Sequence, residues 1–315
     1  CFKILAPAWG ANPGIWIEGE NGKLAYGSVQ PEMKEALQAY AQWYKEGIID
    51  PEFTTKDLEK MLQGEISSSV GVSPYYQYWG YDPGPNVVQN LGADAIFEPY
   101  EIPSANGGEV KASVTFANYG YIVVSKGCKN PEAVLKLLNF YAHVMDEGDE
   151  EDADFINELF GNAYTNIPYA LRVINPNTDY NQFVKVSGAL EKGLDEDPAA
   201  LGKDGVKYSN SVDFIKEGAS TGVGDYLQQG GPKAAYRISK EIIDNEQYIK
   251  DAMWGPATET LLSAGSTLDD ILTEGFTKII VGEESIDYFD TLVDNWAKAG
   301  GTKATEEINE TYGNN

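Results

Sequence analysis

A strand–turn–helix pattern in residues 114–142 is the feature that most constrains the fold. Residues 114–124 have the composition of one or two strands, and residues 121–124 are apolar enough to be buried. Asn130 can cap a helix that Pro131 opens. The buried face predicted for this helix comprises Val134, Leu135, Leu137, Leu138 and Tyr141. A strand followed by a packed helix predicts an α/β layer architecture.

Helices are predicted on both sides of this unit. Pro31 occupies a favoured first helical position. The apolar face of that helix comprises Ala36, Leu37, Tyr40, Trp43 and Tyr44. A second helix is predicted over residues 57–64, and the segment ISSSVGVS at 66–73 has the composition of a short strand. Thr267 and Asp270 fit a capping pattern that predicts the start of the C-terminal helices. The helix after residue 285 presents one apolar stripe, formed by Ile286, Phe289, Leu292, Val293 and Trp296.

Acidic residues outnumber basic residues by more than two to one. The chain has 49 Asp and Glu residues against 23 Lys and Arg residues, for a formal net charge of −26, and Arg172 and Arg237 are its two arginines. Phosphate backbones and anionic lipid surfaces are bound mainly by Arg and Lys. The composition therefore argues against nucleic acid and against a membrane surface as partners. Because high net charge keeps proteins soluble and apart, we expect a monomer.

The residues needed for catalysis are scarce. His143 is the only histidine, so a mechanism that needs a histidine base or several histidine ligands has one position to use. The segment GVSPY at 71–75 begins like a nucleophile elbow but has Tyr75 where that motif needs glycine. Carboxylates are so abundant that a pair at glycosidase spacing carries no information. We predict no catalytic residue, no metal site and no cofactor.

The most informative residues are aromatic. Five large rings lie within seven positions, at Tyr75, Tyr76, Tyr78, Trp79 and Tyr81. They form either an aromatic core or a wall that faces a ligand. A sugar presents C–H patches beside hydroxyl groups, and Tyr and Trp match both with a ring face and a polar atom. Their side chains are also stiff, so little conformational entropy is lost on binding.

Three longer stretches carry a family resemblance. YGSVQPEMKEALQAYAQWYKEGIIDPEF, NYGYIVVSKGCKNPEAVLKLLNFY and the C-terminal STLDDILTEGFTKIIVGEESIDYFDTLVDNWAKAGGTKATEEINETY resemble segments of bacterial extracellular solute-binding proteins (family 1) of the carbohydrate ABC-transporter type. The matches extend from Tyr26 to Tyr312 and are weakest at about 150–250. The resemblance implies a helix-rich α/β fold of class II periplasmic-binding-protein type, with two lobes that close on ligand about a hinge.

The resemblance also implies a domain organisation. We expect an α/β lobe at 1–115 that carries the aromatic wall, and a crossover strand and helix of the other lobe at 116–150. A mostly helical region should follow at 151–255, and the C-terminal helices at 256–315. The first residues resemble the entry to the second lobe of the family, so we expect a C-terminal portion of a longer lipoprotein that lacks part of the first lobe.

Family position also selects the ligand-binding candidates. The segment with Tyr75, Tyr76, Tyr78, Trp79 and Tyr81 falls where relatives carry aromatics into the cleft. Tyr119 and Tyr121 fall where the chain should cross between lobes, and strand alternation places both on one face. Trp254 can face the cleft or lock a turn, and Trp9 and Trp16 are further candidates.

The resemblance implies a function without bond making or breaking. The expected role is capture of a carbohydrate, in particular an oligosaccharide, outside the cell and its delivery to the permease subunits of an ABC transporter. The alternatives are a binding protein for another solute, such as a peptide or a polyol, a carbohydrate-active enzyme, and a sensor subunit. The expected location is the outer face of the cytoplasmic membrane, through a lipidated N-terminus that precedes this chain. Cys1 is either that lipidated residue or the first residue of a truncated chain, and the apolar FKILAPAW after it is unlike a tether.

Overall fold

Helices make up most of the residues that the computed structural model describes, which are 2–19, 22–74, 77–95, 97–116, 121–143 and 177–313. The helices are α1 (Phe2–Leu5), α2 (Glu32–Lys45), α3 (Leu58–Ile66), α4 (Gly84–Leu91), α5 (Glu132–Ala142), α6 (Thr178–Lys192), α7 (Gly205–Glu217), α8 (Val223–Asp225), α9 (Ala235–Asp244), α10 (Glu259–Val281), α11 (Tyr288–Trp296) and α12 (Thr302–Tyr312). The strands are β1 (Trp16–Glu18), β2 (Leu24–Tyr26), β3 (Ala112–Val114) and β4 (Tyr248–Lys250). Short 3-10 or π-helical segments lie at Ala6–Trp9, Gly27–Val29, Phe53–Thr55, Gln77–Gly80, Pro198–Asp204, Ser220–Gly222, Tyr226–Gly230 and Ala297–Gly301.

The first two predicted long helices are confirmed. Helix α2 follows Pro31 directly, and Ala36, Leu37 and Tyr40 of its predicted apolar face are buried. Helix α3 starts after Asp57, whose carboxylate accepts the Lys60 backbone N–H at 2.9 Å. This contact is an N-cap, which satisfies one of the backbone donors left free at a helix start.

The terminal parts of the chain pack together. The apolar face of α2 contacts α10 and α11, and its buried core includes Leu37, Tyr40, Ile279 and Phe289. A second buried group joins the antiparallel hairpin β1–β2 to α10, α11 and α12 around Trp296. We call residues 2–55 together with 251–313 the terminal lobe.

A second set of helices packs around a different core. Val88, Phe214, Val223 and Leu227 bring together α4, α7, α8 and the turn after α8. Val186, Ala189, Tyr208 and Val212 join α6 to α7. We call residues 58–95 together with 178–244 the central lobe. The predicted segment 1–115 contributes to both lobes, and the division into four segments stays a prediction.

Two parallel strands lie on the chain paths between the lobes. Strand β3 pairs with β4 in the register Ala112 to Tyr248 and Val114 to Lys250. The pair is tied to the terminal lobe, because the Asp251 N–H donates to Val114 O at 2.8 Å and the Ala252 N–H donates to Trp16 O at 2.8 Å. These strands therefore hold a fixed position against β1.

The predicted strand at 66–73 is wrong. Helix α3 runs on to Ile66, and the Ser67 and Ser69 hydroxyls donate to Gly64 O in a turn where Ser68 has φ +58°. The serine hydroxyls thus satisfy a backbone carbonyl at the end of this helix, and the serines do not form a strand. Of residues 114–124, where one or two strands were predicted, Val114 ends β3, residues 117–120 lie outside the described residues, and residues 121–124 do not form a strand. Residues 121–124 are exposed and have no strand partner among the described residues. An unpaired strand in water gains neither ladder hydrogen bonds nor burial.

Helix α5 lies where it was predicted, but its predicted buried face is not buried. Leu135 and Leu137 are exposed, Val134 and Leu138 are half-buried, and the side chain of Tyr141 lies outside the described residues. The start predicted from Thr267 and Asp270 is also wrong, because α10 begins at Glu259 and runs through both. Residues 259–281 include no proline, and their glycines do not interrupt the helix.

The stripe predicted after residue 285 is confirmed in α11, where Phe289, Leu292 and Trp296 are buried. In the part of the chain that the structure describes, none of the helices has the length and apolar character to cross a membrane.

Candidate functional site

Two glycines allow the aromatic segment to pack closely against the central lobe. Gln77–Gly80 forms a single turn that packs on α8 and on the turn Tyr226–Gly230. A Cβ on Gly80 would lie 3.0 Å from Cα of Gly224. The two backbones can approach this closely because neither residue has a side chain.

Trp79 is bound into the central lobe. Its ring is half-buried, packs on the core around Val88 and Val223, and lies 4.8 Å from the Phe97 ring between centroids. Its indole N–H donates to Oε2 of Glu65, which is fully buried. These contacts give Trp79 a packing role, and its predicted contact with ligand stays a prediction.

Tyr81 belongs to a charged network. Its hydroxyl donates to Oδ1 of Asp225, and Lys207 Nζ donates to the Tyr81 hydroxyl at 2.8 Å and pairs with Asp225 at 3.1 Å. Asn210 donates to the other Asp225 oxygen at 2.8 Å. Burial, and then the charge of Asp225, raise the pKa of Tyr81 well above its usual range. The network fixes the phenol while the side chain stays 36% exposed.

Tyr78 presents the more open ring of this segment. It is 43% exposed, and its centroid lies 6.4 Å from that of Tyr81. The two phenols thus form a short aromatic surface on the central lobe. Tyr75 and Tyr76 lie outside the described residues.

The other predicted residues belong to other segments of the chain. Trp254 follows strand β4, is 50% exposed, and makes an edge contact with Phe116 at 5.2 Å between centroids. Lys250 Nζ lies 6.0 Å from the Trp254 ring. Tyr121 is 80% exposed, and Tyr119 lies outside the described residues. A ligand role for each of these aromatics stays a prediction.

The terminal lobe contains a pocket of about 350 Å³ that the sequence did not predict. It is lined by Gly14, Trp16, Tyr26, Asp251, Met253, Ala257, Leu261, Gly265, Ser266, Leu268, Asp269 and Trp296. Hairpin β1–β2, helices α10 and α11, and the segment after β4 all contribute to it. Of the residues in its wall, only Trp16 was among the candidates, and Trp296 was predicted only as part of a packing stripe.

Three aromatic rings form one side of this pocket. The Tyr26 ring is parallel to that of Trp296, at 9° and 5.6 Å between centroids, and lies 5.1 Å from that of Trp16. The buried Trp296 indole nitrogen has no hydrogen-bond partner among the described residues. Burial raises the pKa of Tyr26 to about 12, and the charges of Asp269 and Asp251 add to the shift.

Asp251 forms the polar side of the pocket. The residue is 6% exposed, and its Oδ1 accepts the backbone N–H groups of Trp16 and Met253, each at 3.0 Å. Burial raises the pKa of the Asp251 carboxyl despite these two hydrogen bonds. Asp269 accepts a hydrogen bond from the Tyr26 hydroxyl at 3.4 Å. Aromatic faces beside hydrogen-bond acceptors are the chemistry that a sugar ring requires.

The residues near these sites are not arranged for metal binding. Across the described ranges, no three His, Cys, Asp or Glu side chains are grouped as metal ligands would be. His143, the one histidine, follows helix α5, which is remote in sequence from every residue of the pocket.

Comparisons with known proteins bear on the fold. No protein-family model matches the chain. The chain is 24% identical over 319 residues to the lipoprotein LipO of Bacillus subtilis (strain 168), and the match covers 93% of this chain and 53% of LipO. The chain therefore spans about half the length of that curated relative.

A solved structure is similar over almost the whole chain. It is the crystal structure of the alginate-binding protein AlgQ2 without calcium ion, with a TM-score of 0.57 and 14% identity over 99% of this chain and 61% of that chain. The predicted helix-rich, periplasmic-binding-protein-like α/β fold is thereby confirmed. The sequence match to LipO shows similarity to a bacterial lipoprotein.

Proposed function

We propose that the chain is the solute-binding part of an extracellular, lipid-anchored protein that captures an oligosaccharide and delivers it to an ABC-transporter permease. The observation that carries this proposal is the pocket walled by Trp16, Tyr26 and Trp296 beside Asp251. Its volume suits one or two sugar units, since small-ligand pockets range from about 300 to 1,000 Å³. The fold shared with an alginate-binding protein and the similarity to a lipoprotein support the same role.

In this proposal, each lobe contributes its own surface to the ligand. The pocket lies in the terminal lobe, whereas the exposed rings of Tyr78 and Tyr81 lie on the central lobe. The segments that join the lobes include β3 and β4, and β4 leads directly into Asp251. Closure of the lobes about these segments would bring the two aromatic surfaces onto one ligand, as in other hinged binding proteins.

Binding is tested with the purified 315-residue chain and a panel of oligosaccharides. Isothermal titration should reveal saturable binding of at least one glycan. Gly265→Leu should abolish it, because Gly265 lines the pocket and a Cβ there meets no atom within 4 Å, so the new side chain enters the open space. Gly188→Leu is the matched control, since Gly188 lies on α6 of the central lobe and its Cβ also meets nothing within 4 Å.

Two further measurements separate this role from the alternatives. Incubation of each bound glycan with the protein should leave it intact, and the release of new reducing ends would instead make the protein an enzyme. The protein should raise ATP hydrolysis by its reconstituted transporter only when the glycan is present. Saturable glycan binding that Gly265→Leu leaves unchanged would remove the pocket from the proposal.

A further inference from the structure

Among the described residues, no cationic side chain forms an ion pair with Asp251. Its Oδ1 accepts two backbone N–H groups, and no described hydrogen bond or ion pair reaches Oδ2. The residue is nevertheless only 6% exposed, and it lines the pocket. A buried carboxylate is normally paired, so this one lacks the partner that its burial calls for.

The rest of the pocket wall adds negative charge and no positive charge. Asp269 is its second carboxylate, and none of the lining residues, all of which belong to the described ranges, is Lys, Arg or His. Lys3 comes near the rim, with Nζ 3.9 Å from the position of a Cβ on Gly14, but it forms no described ion pair with Asp251. The pocket thus combines two acids with three aromatic rings.

These two features favour the same kind of ligand group. The faces of Trp and Tyr rings carry partial negative charge and attract cations. An ammonium group can donate a hydrogen bond to Oδ2 and also balance its charge, whereas a sugar hydroxyl can donate but leaves the charge unbalanced. A ligand carboxylate would lie beside two like charges and is disfavoured.

We propose that this pocket is a subsite for a sugar unit that carries a protonated amine. The proposal rests on the proposed function, because it assigns the charge of a glycan that the terminal lobe would bind. It sets the expected ligand apart from the alginate that gives the structural neighbour its name, since alginate is a polymer of uronic acids and therefore anionic.

The test uses three oligosaccharides of equal length with the 315-residue chain. They are a β-1,4-linked glucosamine oligomer, its fully N-acetylated counterpart, and an oligogalacturonate, titrated at a pH where the amines are protonated. The amine-bearing oligomer should bind at least about tenfold more tightly than the neutral one, which corresponds to about 1.4 kcal/mol. The oligogalacturonate should not bind measurably.

Two variants assign the preference to Asp251. Asp251→Asn keeps a side-chain oxygen for the Trp16 and Met253 N–H groups but removes the charge, and it should reduce the preference for the amine to less than about threefold. Asp195→Asn makes the same change in net charge at a side chain that is 93% exposed and pairs with Lys216 in the central lobe. That variant should keep the full preference.

The outcomes separate this proposal from the function it rests on. Equal or tighter binding of the N-acetylated oligomer overturns the amine subsite and leaves the carbohydrate-binding role in place. Preference for the amine that Asp251→Asn does not change overturns the assignment to this pocket. Failure of every oligosaccharide in the wider panel to bind overturns both.

Discussion

The packing of Tyr81 against the central lobe can be tested by the addition of a single methyl group at Gly224. A Cβ there would lie 2.7 Å from Cε1 and 2.9 Å from Cγ of Tyr81, and closer still to Cδ1. Carbon atoms in contact prefer about 3.5–4.0 Å, so the ring must retreat by about 1 Å. The backbone of Gly224 does not have positive φ, so Gly224→Ala acts through this contact and not through backbone strain.

Two costs follow from that retreat. Extra volume in a packed site typically costs about 1–3 kcal/mol. The Tyr81 hydroxyl also leaves Asp225, and a hydrogen bond to a charged group is worth about 1.5–3 kcal/mol. Because Lys207 and Asn210 continue to hold Asp225, part of the second cost is recovered. We expect Gly224→Ala to lower the free energy of unfolding by about 2–4 kcal/mol.

A double-mutant cycle with Tyr81→Ala provides the assay. All three of the atoms nearest to the added Cβ belong to Tyr81, so removal of the ring relieves the three shortest contacts of the methyl group. In the Tyr81→Ala background, Gly224→Ala should cost less than in the wild-type background by more than about 0.5 kcal/mol, the limit within which the costs at uncoupled positions add. Urea unfolding followed by circular dichroism gives the four free energies, with the denaturant slopes compared to check that one transition is measured. If Gly224→Ala lowers the free energy of unfolding equally in the two backgrounds, the described packing of Tyr81 against Gly224 is refuted.

Three further predictions concern other parts of the chain. Gly275→Ala should lower the unfolding free energy by about 1–3 kcal/mol in urea titrations, because its Cβ would lie 2.9 Å from Cγ of buried Leu292 and closer to both methyl groups. Hydrogen bonds from the Thr260 side chain and backbone lower the pKa of Glu307 to about 2, so this carboxylate stabilises the fold above its unfolded-state pKa and loses that effect as the pH falls towards 2. Glu307→Gln should therefore flatten the acid side of the stability–pH profile, and an unchanged profile would contradict this. Asp251→Asn should raise the melting temperature at neutral pH, because burial raises the pKa of Asp251 and its ionised form is therefore disfavoured in the folded state. At a pH below the unfolded-state pKa of aspartate, where Asp251 is protonated in both states, the substitution should not raise the melting temperature.

Local signals in the sequence were sufficient for several elements of the fold. Helix α2 was predictable because its first turn, its apolar face and its end are all encoded within residues 31–47. The stripe of α11 was predictable for the same reason. The strand prediction for 114–124 was wrong at 121–124 because an apolar run becomes a strand only beside a partner, and none of the described strands pairs with these residues.

The site depended on contacts that no local pattern encodes. Composition alone singled out the segment with Tyr78 and Tyr81, but the residue that fixes the Tyr81 hydroxyl, Asp225, lies 144 positions away. Asp251 and Trp16 lie 235 positions apart. In a chain with 49 acidic residues, nothing in the sequence distinguishes Asp251 from the others until the fold buries it.

The two effects expected of Asp251→Asn have opposite signs, and together they distinguish a binding role from a structural one. A carboxylate kept for structure should cost stability when it is replaced. Here asparagine can accept the same two backbone N–H groups, so the replacement removes chiefly a charge whose burial is unfavourable. A charge that lowers stability while it lines a pocket is typical of functional sites, where stability is lost in favour of activity. A variant that is more stable at neutral pH and that no longer prefers the amine-bearing oligomer would fit a ligand-binding Asp251. A variant that is less stable at every pH would show that the carboxylate serves the fold.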